Sequence, residues 1–359
     1  MVVIGGGPAG STAAYRLATA GARVLLVDKA TFPRDKPCGG GVTGRAARLL
    51  PFSIEPVVED VVARLECGLR YGRRFSRTAR TPLAYMTQRR RLDHFLLQKA
   101  AEAGAEVREG TTVDARELAA RIVIGADGCN GTSAKQLGLA QEVTYGVALE
   151  ANYPHEQRFA HAMLLEIENV HGGYGWIFPK GDHVNVGVGG LESEAPKLRA
   201  ELLRMCEHYG VDPDAAQDTR GYRLPTRRPG SVLARGRTAV IGDAAGLVDP
   251  FSGDGMYEAF LSAKLVADAA LDVLASRAES LDGYQAAVER LIAPLARAGW
   301  AGKRAFQRFP RATFALARLP VTFRALEHLL TGELSHPGAA HGAERAAFRA
   351  VNALARRAV

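Results

Sequence analysis

Residues 2–28, VVIGGGPAGSTAAYRLATAGARVLLVD, constrain this chain more than any other stretch. A short apolar run, Val2 to Ile4, meets GGGPAG, and the helix-like segment STAAYRLATAG follows. ARVLLVD then reads as a second strand, buried by its continuous apolar character. Strand, glycine turn, helix and strand within about thirty residues form one βαβ unit. Gly5, Gly7 and Gly10 fill the GxGxxG positions, and Asp28 closes the second strand. Gly5 permits the tight turn, Gly7 lets a pyrophosphate approach the backbone, and Gly10 lets the helix pack close to the strand. The helix N-terminus offers unpaired N–H groups and a positive dipole to phosphates. Asp28 is placed to accept hydrogen bonds from ribose hydroxyls, with Pro8, Ala9 and Lys29 flanking the two ends of the site.

The chain has 359 residues, 47% hydrophobic and 23% charged, which is enough for two lobes. No run of about eighteen apolar residues is present, so no membrane-crossing helix is expected. The opening MVVIGGG lacks a basic and apolar leader, which makes the cytoplasm the expected compartment. Cys38, Cys67, Cys129 and Cys206 form no CxxC pair, so neither a metal site nor a disulfide scaffold is expected.

Beyond residue 28 the periods change. Leu92 to Ala103 reads as a helix followed by a short strand. RIVIGADG is a strand ending in a polar turn. TYGVALEANY, AMLLEIENV, YGWIFPK and HVNVGVGG alternate apolar and polar residues, as an antiparallel sheet does. TAVIGDAAG is a further buried strand and turn, and Gly255 to Ala275 reads as a long helix. The last eighty or so residues look helical, with interruptions at Pro294, Pro310, Pro320 and Pro337. The expected class is α/β with mixed α+β character, a parallel nucleotide-binding sheet interrupted by an antiparallel one and followed by a helical tail. The boundaries read as 1–45, 86–135 and 233–278 for the nucleotide-binding domain, 46–85 and 136–232 for a substrate domain, and 279–359 for the tail.

Two more glycine–aspartate turns follow apolar strands. IVIGADG carries Asp127, and TAVIGDAAGLVDPFSGDGMYEAF carries Gly242, Asp243, Pro250, Gly253, Gly255 and Met256. Acids at the carboxyl ends of central strands sit where open α/β sheets bind ligands. A dinucleotide with two ends to hold would use both glycine turns, and a second helix dipole would stabilise negative charge at its far end.

GGGPAG…VD, RRRLDHFLLQKAAEAGAEV, GADG and GDAAG…P…G.G together resemble the glutathione-reductase-type flavoproteins of the aromatic-hydroxylase branch, over roughly residues 1–275. PRDKPCGGGV and GGYGWIFPKGDHVNVGVGG narrow this to a resemblance to the geranylgeranyl reductase family, whose members saturate isolated double bonds of polyprenyl chains. The resemblance implies a glutathione-reductase-type FAD-binding Rossmann domain, with Gly5, Gly7, Gly10 and Asp28 on the ADP half of FAD. It places Arg89 against the cofactor, Asp127 near the pyrophosphate and ribitol, and Asp243 on the ribitol. Gly253, Asp254, Gly255 and Met256 would border the flavin ring, and Tyr174, Trp176, Phe178, Pro179 and Lys180 would line the substrate pocket. The chain departs from that pattern in the short stretch between Val107 and Ile122, where relatives carry a small hairpin. It also departs at Asp28, where the group more often has Glu, and in total length.

PRDKPCGGGV, residues 33–42, holds two prolines and three successive glycines, so it forms neither a helix nor a core strand. In the fold that the resemblance implies, Gly39, Gly40 and Gly41 let this loop pass close to the flavin, which brings Cys38 near the reacting centre. Three roles are open to Cys38: a proton donor to the alkene, a tuner of the ring, or a small filler. Arg34 and Lys36 are candidates for a diphosphate headgroup.

The net charge is +8, and from Leu281 to Val359 there are 12 Lys/Arg against 5 Asp/Glu. Lys303, Arg304, Arg308 and Arg311 alternate with Phe306, Phe309, Phe314, Leu319 and Phe323, which suits an anionic membrane surface better than nucleic acid. The expected activity is reduction of a polyprenyl lipid, a prenyl diphosphate or a prenylated quinone. Only one dinucleotide fingerprint is present, so electrons are expected from transiently bound NADPH or NADH, or from an electron-carrier protein. A flavin monooxygenase or halogenase on the same fold and a non-catalytic prenyl-binding chaperone are the competing readings.

Overall fold

The computed structural model describes residues 1–140 and 142–357. Its first layer is a six-stranded sheet. Five parallel strands run in the spatial order Thr238–Val240, Val123–Gly125, Val2–Ile4, Leu25–Val27 and Glu106–Arg108, with Ala234–Arg235 antiparallel on the outer edge. The chain starts in the middle, builds outward on one side, then crosses to the other. The order reverses between Val2–Ile4 and Val123–Gly125, and a crevice opens there at the carboxyl ends of the strands. The helix Pro8–Thr19 fills that reversal. Ala9, Gly10, Ser11, Thr12, Ala13 and Ala14 are all buried, and these small residues let it lie against the helices Arg89–Glu102 and Met256–Leu274.

A seven-stranded sheet runs Gln217–Arg227, Val143–Pro154, His183–Leu191, Tyr174–Pro179, Ala162–Ile167, Arg64–Leu69 and Arg74–Thr78. It is antiparallel except where Ala162–Ile167 pairs parallel with Arg64–Leu69. The period of two divides its residues. Val147, Tyr153, Ile177, Val184, Val186 and Val188 face the helix Leu198–Tyr209 and pack with Leu198, Leu202 and Met205. Ala148, Glu150, Asn152, Trp176, Phe178 and Asn185 alternate with them and take the opposite face. A third sheet of three short strands, Gly41–Thr43, Ala84–Thr87 and Val58–Val62, joins the two larger ones. The six strands of the first sheet fall within residues 1–45, 86–135 and 233–278, and the seven of the second within 46–85 and 136–232. The third sheet draws on both sets.

After Leu281 come the helices Asp282–Leu291, Ala293–Arg308, Pro310–Ala317, Pro320–Thr331 and Gly342–Arg356. Pro294, Pro310 and Pro320 stand in the first turn of their helices, where the missing N–H costs nothing. The phenylalanines of this region do not form the lipid-facing row that their spacing with arginines predicts. Phe314 is 1% exposed against Cys67, Leu69 and Ile167, and Phe323 is 6% exposed against Leu65 and Leu83. Phe306 stacks on Phe251 with ring centroids 5.7 Å apart. Apolar burial on the large sheet takes them inward. Phe309 is half-buried, and Leu319 is exposed. Lys303 also turns inward, donating to the Pro250 carbonyl at 3.2 Å, and burial lowers its pKa. Arg304, Arg308, Arg311 and Arg318 remain exposed. No helix among the described residues is long and apolar enough to cross a membrane.

Candidate functional site

The first glycine turn is shaped by close backbone contact. Gly5 has φ +108°, and a Cβ there would lie 2.4 Å from the Ala126 carbonyl oxygen. A Cβ on Gly10 would lie 1.8 Å from the Gly5 carbonyl oxygen. Gly7 differs from both: its φ is −74°, and a Cβ would meet only Arg34 Nη2, at 3.5 Å. Gly7 caps the helix Pro8–Thr19 without any side-chain hydrogen bond, and no acid occupies the first turn. This terminus therefore keeps its positive end and a space in front of it. Asp28 accepts from Gly6 N–H at 2.6 Å and from Ala30 N–H at 2.8 Å, so it braces the turn from the second strand. Lys29 is exposed.

Two arginines face the same space around one carboxylate. Arg89 binds Asp93 bidentately at 2.7 Å for both bonds, and Arg34 Nη1 reaches Asp93 at 2.9 Å. Asp93 is fully buried and Arg89 is 5% exposed. Burial opposes the Arg89 charge, but Asp93 outweighs it and holds the guanidinium protonated. Two cations on one anion leave a net positive charge beside Gly7.

The loop after Phe32 is tied down along its length. Asp35 pairs with Arg220 at 2.8 Å, Lys36 Nζ with Asp243 at 3.1 Å, and Cys38 N–H donates to Glu150 at 2.6 Å. Cys38 Sγ accepts from Gly40 N–H at 3.3 Å and faces the Arg89 guanidinium. Lys180 Nζ donates to the carbonyls of Cys38 at 3.2 Å and Thr87 at 2.8 Å. The sequence reading put Lys180 on the substrate pocket; at 3% exposure its ammonium is engaged by the loop backbone instead. Burial lowers the Lys180 pKa and raises that of Glu150. Gly40 has φ +72°, and a Cβ there would stand 2.1 Å from the Thr87 carbonyl oxygen. At Gly39 it would stand 2.9 Å from the Phe178 ring. The loop thus lies flat on the strand Tyr174–Pro179, as its glycines require.

On that strand Tyr174, Trp176 and Phe178 share one face, with successive ring centroids 5.9 and 6.2 Å apart. Trp176 Nε1 donates to Asn185 at 2.8 Å, and Tyr174 OH donates to the Ser252 carbonyl. Tyr174, Trp176, Leu224, Pro250, Gly253 and Trp300 contribute to the wall of an open cleft. Phe178 and Pro179 lie beyond it, toward the Cys38 loop.

The second glycine turn closes the site. A Cβ on Gly242, at φ +56°, would lie 2.9 Å from Ala9 Cβ, so the two turns touch. Asp243 accepts from Tyr222 OH at 3.2 Å as well as from Lys36, and a Cβ on Gly255 would lie 3.1 Å from its Oδ1. Burial works against the Asp243 carboxylate, yet Lys36 prevails and holds its pKa below the ordinary value. Gly255 caps the helix Met256–Leu274. Asp127 lies against the first glycine turn, where a Cβ on Gly5 would come 2.8 Å from its Cα, and its carboxylate accepts from Thr132 and Ser133 N–H, which fixes the turn before the helix Ser133–Gln136.

The structure gathers Gly5, Gly7, Gly10, Cys38, Gly39, Arg89, Asp243, Gly253 and Gly255 around one crevice. Glu150, Asn185, Tyr222, Leu224 and Trp300 were not foreseen. For Glu150 a signal was present, since it is a lone acid on the alternating run VALEANY. Trp300 comes from the tail, whose packing no local pattern announces. The open space at Gly7, the uncapped helix end and the paired arginines fit the diphosphate of a dinucleotide, and the Asp243 turn fits its far half. Among the described residues no group of His, Cys, Asp or Glu is arranged to hold a metal ion.

Comparison with known proteins bears on the cofactor and the fold. Residues 1–80 match the model described as FAD dependent oxidoreductase. Menaquinone reductase of Mycobacterium tuberculosis is 32% identical, over 75% of this chain and 75% of that protein. Geranylgeranyl diphosphate reductase of Rhodobacter capsulatus is 31% identical, over 76% of this chain and 75% of that one. The crystal structure of a geranylgeranyl bacteriochlorophyll reductase-like protein from Thermoplasma acidophilum superposes with a TM-score of 0.77 at 21% identity, covering 100% of this chain and 98% of that one. Flavin-dependent halogenases and a monooxygenase share the fold at comparable scores, so the fold alone does not choose the reaction. Site, sequence and fold agree on the cofactor: the chain belongs to the superfamily of FAD-dependent oxidoreductases that includes the geranylgeranyl reductases.

Proposed function

We propose that this protein is an FAD-dependent reductase that saturates carbon–carbon double bonds of a polyprenyl chain, carried on a lipid, a diphosphate or a quinone. The observation that carries the reading is the cleft walled by Tyr174 and Trp176, continuous with the Gly253 turn and flanked by the Cys38 loop. Aromatic and aliphatic walls suit a long hydrocarbon, which offers no polar handle. The names of the relatives, a menaquinone reductase and a geranylgeranyl diphosphate reductase, point to the same substrate class.

FAD, when bound and reduced, supplies the hydride for such a reduction. The chain supplies the rest. The Gly7 turn with Arg34 and Arg89 holds the diphosphate, and Asp243 with the Gly255 helix end meets the far half. Gly39 and Gly40 let the loop backbone approach without side chains in the way. Gly40 N–H donates to Cys38 Sγ and the Arg89 guanidinium faces it, so the thiol is held in place beside the loop glycines. NADPH, NADH or an electron-carrier protein is the proposed electron source, meeting the flavin from outside. Purified protein, reduced without oxygen and offered a panel of polyprenyl compounds, should return products carrying two added hydrogens per double bond by mass spectrometry. An added oxygen or halogen atom would move the protein to the monooxygenase or halogenase reading, and a colourless purified protein would leave a prenyl-binding role.

A further inference from the structure

The loop after Phe32 brings a cation to the second glycine turn. Lys36 Nζ pairs with Asp243 Oδ2 at 3.1 Å, and Tyr222 OH donates to the same oxygen at 3.2 Å. The Lys36 ammonium also lies 4.5 Å over the Tyr222 ring, so the three side chains form a closed triangle. The sequence offered Lys36 to a substrate headgroup; the structure commits its charge to Asp243. Three elements meet here. Lys36 is on the loop that follows the strand Leu25–Val27, Asp243 is on the turn after Thr238–Val240, and Tyr222 is on the edge strand Gln217–Arg227 of the other large sheet. The period of two puts Arg220 and Tyr222 on one face of that strand. Arg220 holds Asp35 at 2.8 Å, and Tyr222 takes the next residue of the loop. A Cβ on Gly128 would lie 3.7 Å from the Tyr222 hydroxyl oxygen, so the triangle also touches the turn after Val123–Gly125. Arg89 and Cys129 face it as well.

The two oxygens of Asp243 are thereby divided. Oδ2 is filled by Lys36 and Tyr222. Oδ1 faces the helix end at Gly255, where a Cβ would lie 3.1 Å from it, and among the described residues no group donates to it. Two donors from different elements lock the plane of the carboxylate, which decides the oxygen that is offered to the crevice. The charge is decided in the same way. Burial alone would favour the carboxylic acid, which would donate a hydrogen bond where a carboxylate accepts one. Lys36 opposes burial and holds Asp243 below its ordinary pKa.

We propose that Lys36 and Tyr222 are positioning residues for the cofactor: they hold Asp243 by Oδ2 and present Oδ1 as an acceptor to the hydroxyl-bearing chain in the far half of the dinucleotide. Lys36 acts a second time through its charge. With Asp243 it forms a neutral pair at the flavin half of the site. Without it, an unbalanced carboxylate would stand there and oppose negative charge on the reduced cofactor. The proposal rests on FAD as the cofactor and is independent of the reaction that FAD performs.

The test is a double-mutant cycle on FAD binding, with the full chain stripped of flavin and titrated with FAD while flavin fluorescence is followed. Lys36→Met should weaken binding about 10–100-fold, the worth of a charge-assisted hydrogen bond, and Lys36→Arg should recover part of it. Tyr222→Phe should weaken it less. In an Asp243→Asn background, Lys36→Met should change the affinity by less than about 2-fold, because its effect runs through Asp243. Equal losses in both backgrounds would overturn the positioning role. Asp35→Asn breaks the Arg220 anchor of the same loop without touching Asp243, and it should bind FAD as the wild type does. A loss there equal to that of Lys36→Met would assign the effect to the loop and overturn the proposal. The midpoint potential of bound FAD should fall in Lys36→Met and hold in Tyr222→Phe; an unchanged potential in Lys36→Met would overturn the charge role. A wild type that takes up no FAD would overturn the cofactor assignment and this proposal together, whereas FAD binding indifferent to Lys36 and Tyr222 would overturn this proposal alone.

Discussion

Gly7 and Gly10 sit three residues apart in one motif and answer to different demands. Gly10 is required by the fold, because a methyl group there would overlap the Gly5 carbonyl. Gly7 has ordinary backbone angles and open space, so its small size serves what binds in front of it. Gly7→Val should therefore yield a folded protein with wild-type circular dichroism and no flavin absorbance. Gly10→Ala should lose helix packing and unfold at lower denaturant. A yellow Gly7→Val protein would remove the turn from the cofactor site. GxGxxG assigns Gly7 to the pyrophosphate and Gly10 to helix packing, but it does not reveal that the group Gly10 must clear is the Gly5 carbonyl. Asp28 shows the same limit. The sequence marks it as a ribose acceptor, and the structure adds its two bonds to the backbone of Gly6 and Ala30.

Elements whose residues repeat a period were legible in the sequence, and elements held by partners far along the chain were not. The runs around Val147, Leu164, Trp176 and Val186 alternate and form strands where expected. Gln217–Arg227 is mostly polar and contains Pro225, which hides it as a strand, yet it holds the sheet edge where a proline is tolerated. The strand Arg64–Leu69 pairs with Ala162–Ile167, about a hundred residues on, and the mostly polar edge strand Arg74–Thr78 pairs only with Arg64–Leu69, so neither carries a long apolar period of its own. The helix Arg89–Glu102 illustrates how an element serves the site. Its first turn carries Arg89 and Asp93 one above the other, as the helical period dictates, and brings them to Arg34 on the loop. Asp93→Asn would leave Arg89 buried without its counter-charge. It should cost about 3–5 kcal/mol of stability in denaturant melts. A loss under about 1 kcal/mol, the range of exposed pairs, would mean that the cluster is hydrated and not a buried brace.

At the scale of the whole molecule, the tail closes one wall of the cleft. Trp300 and Lys303 reach the cleft, and Phe314 and Phe323 fasten their helices to the large sheet. With the aromatic residues turned inward, the proposed attraction to anionic lipid rests on Arg304, Arg308, Arg311 and Arg318. Each is worth about 1 kcal/mol near such a surface. Reversing these four charges should abolish co-sedimentation with anionic liposomes at low salt, and raised salt should do the same to the wild type. Binding that ignores both would assign the tail to packing alone. The central claim, that electrons pass from the flavin to a prenyl double bond, is tested most directly by following the flavin spectrum of the reduced protein under strict exclusion of oxygen. Addition of a polyprenyl compound should restore the oxidised spectrum, with one flavin reoxidised for each double bond lost. A flavin that stays reduced beside every prenyl compound and reoxidises only when oxygen is admitted would contradict it.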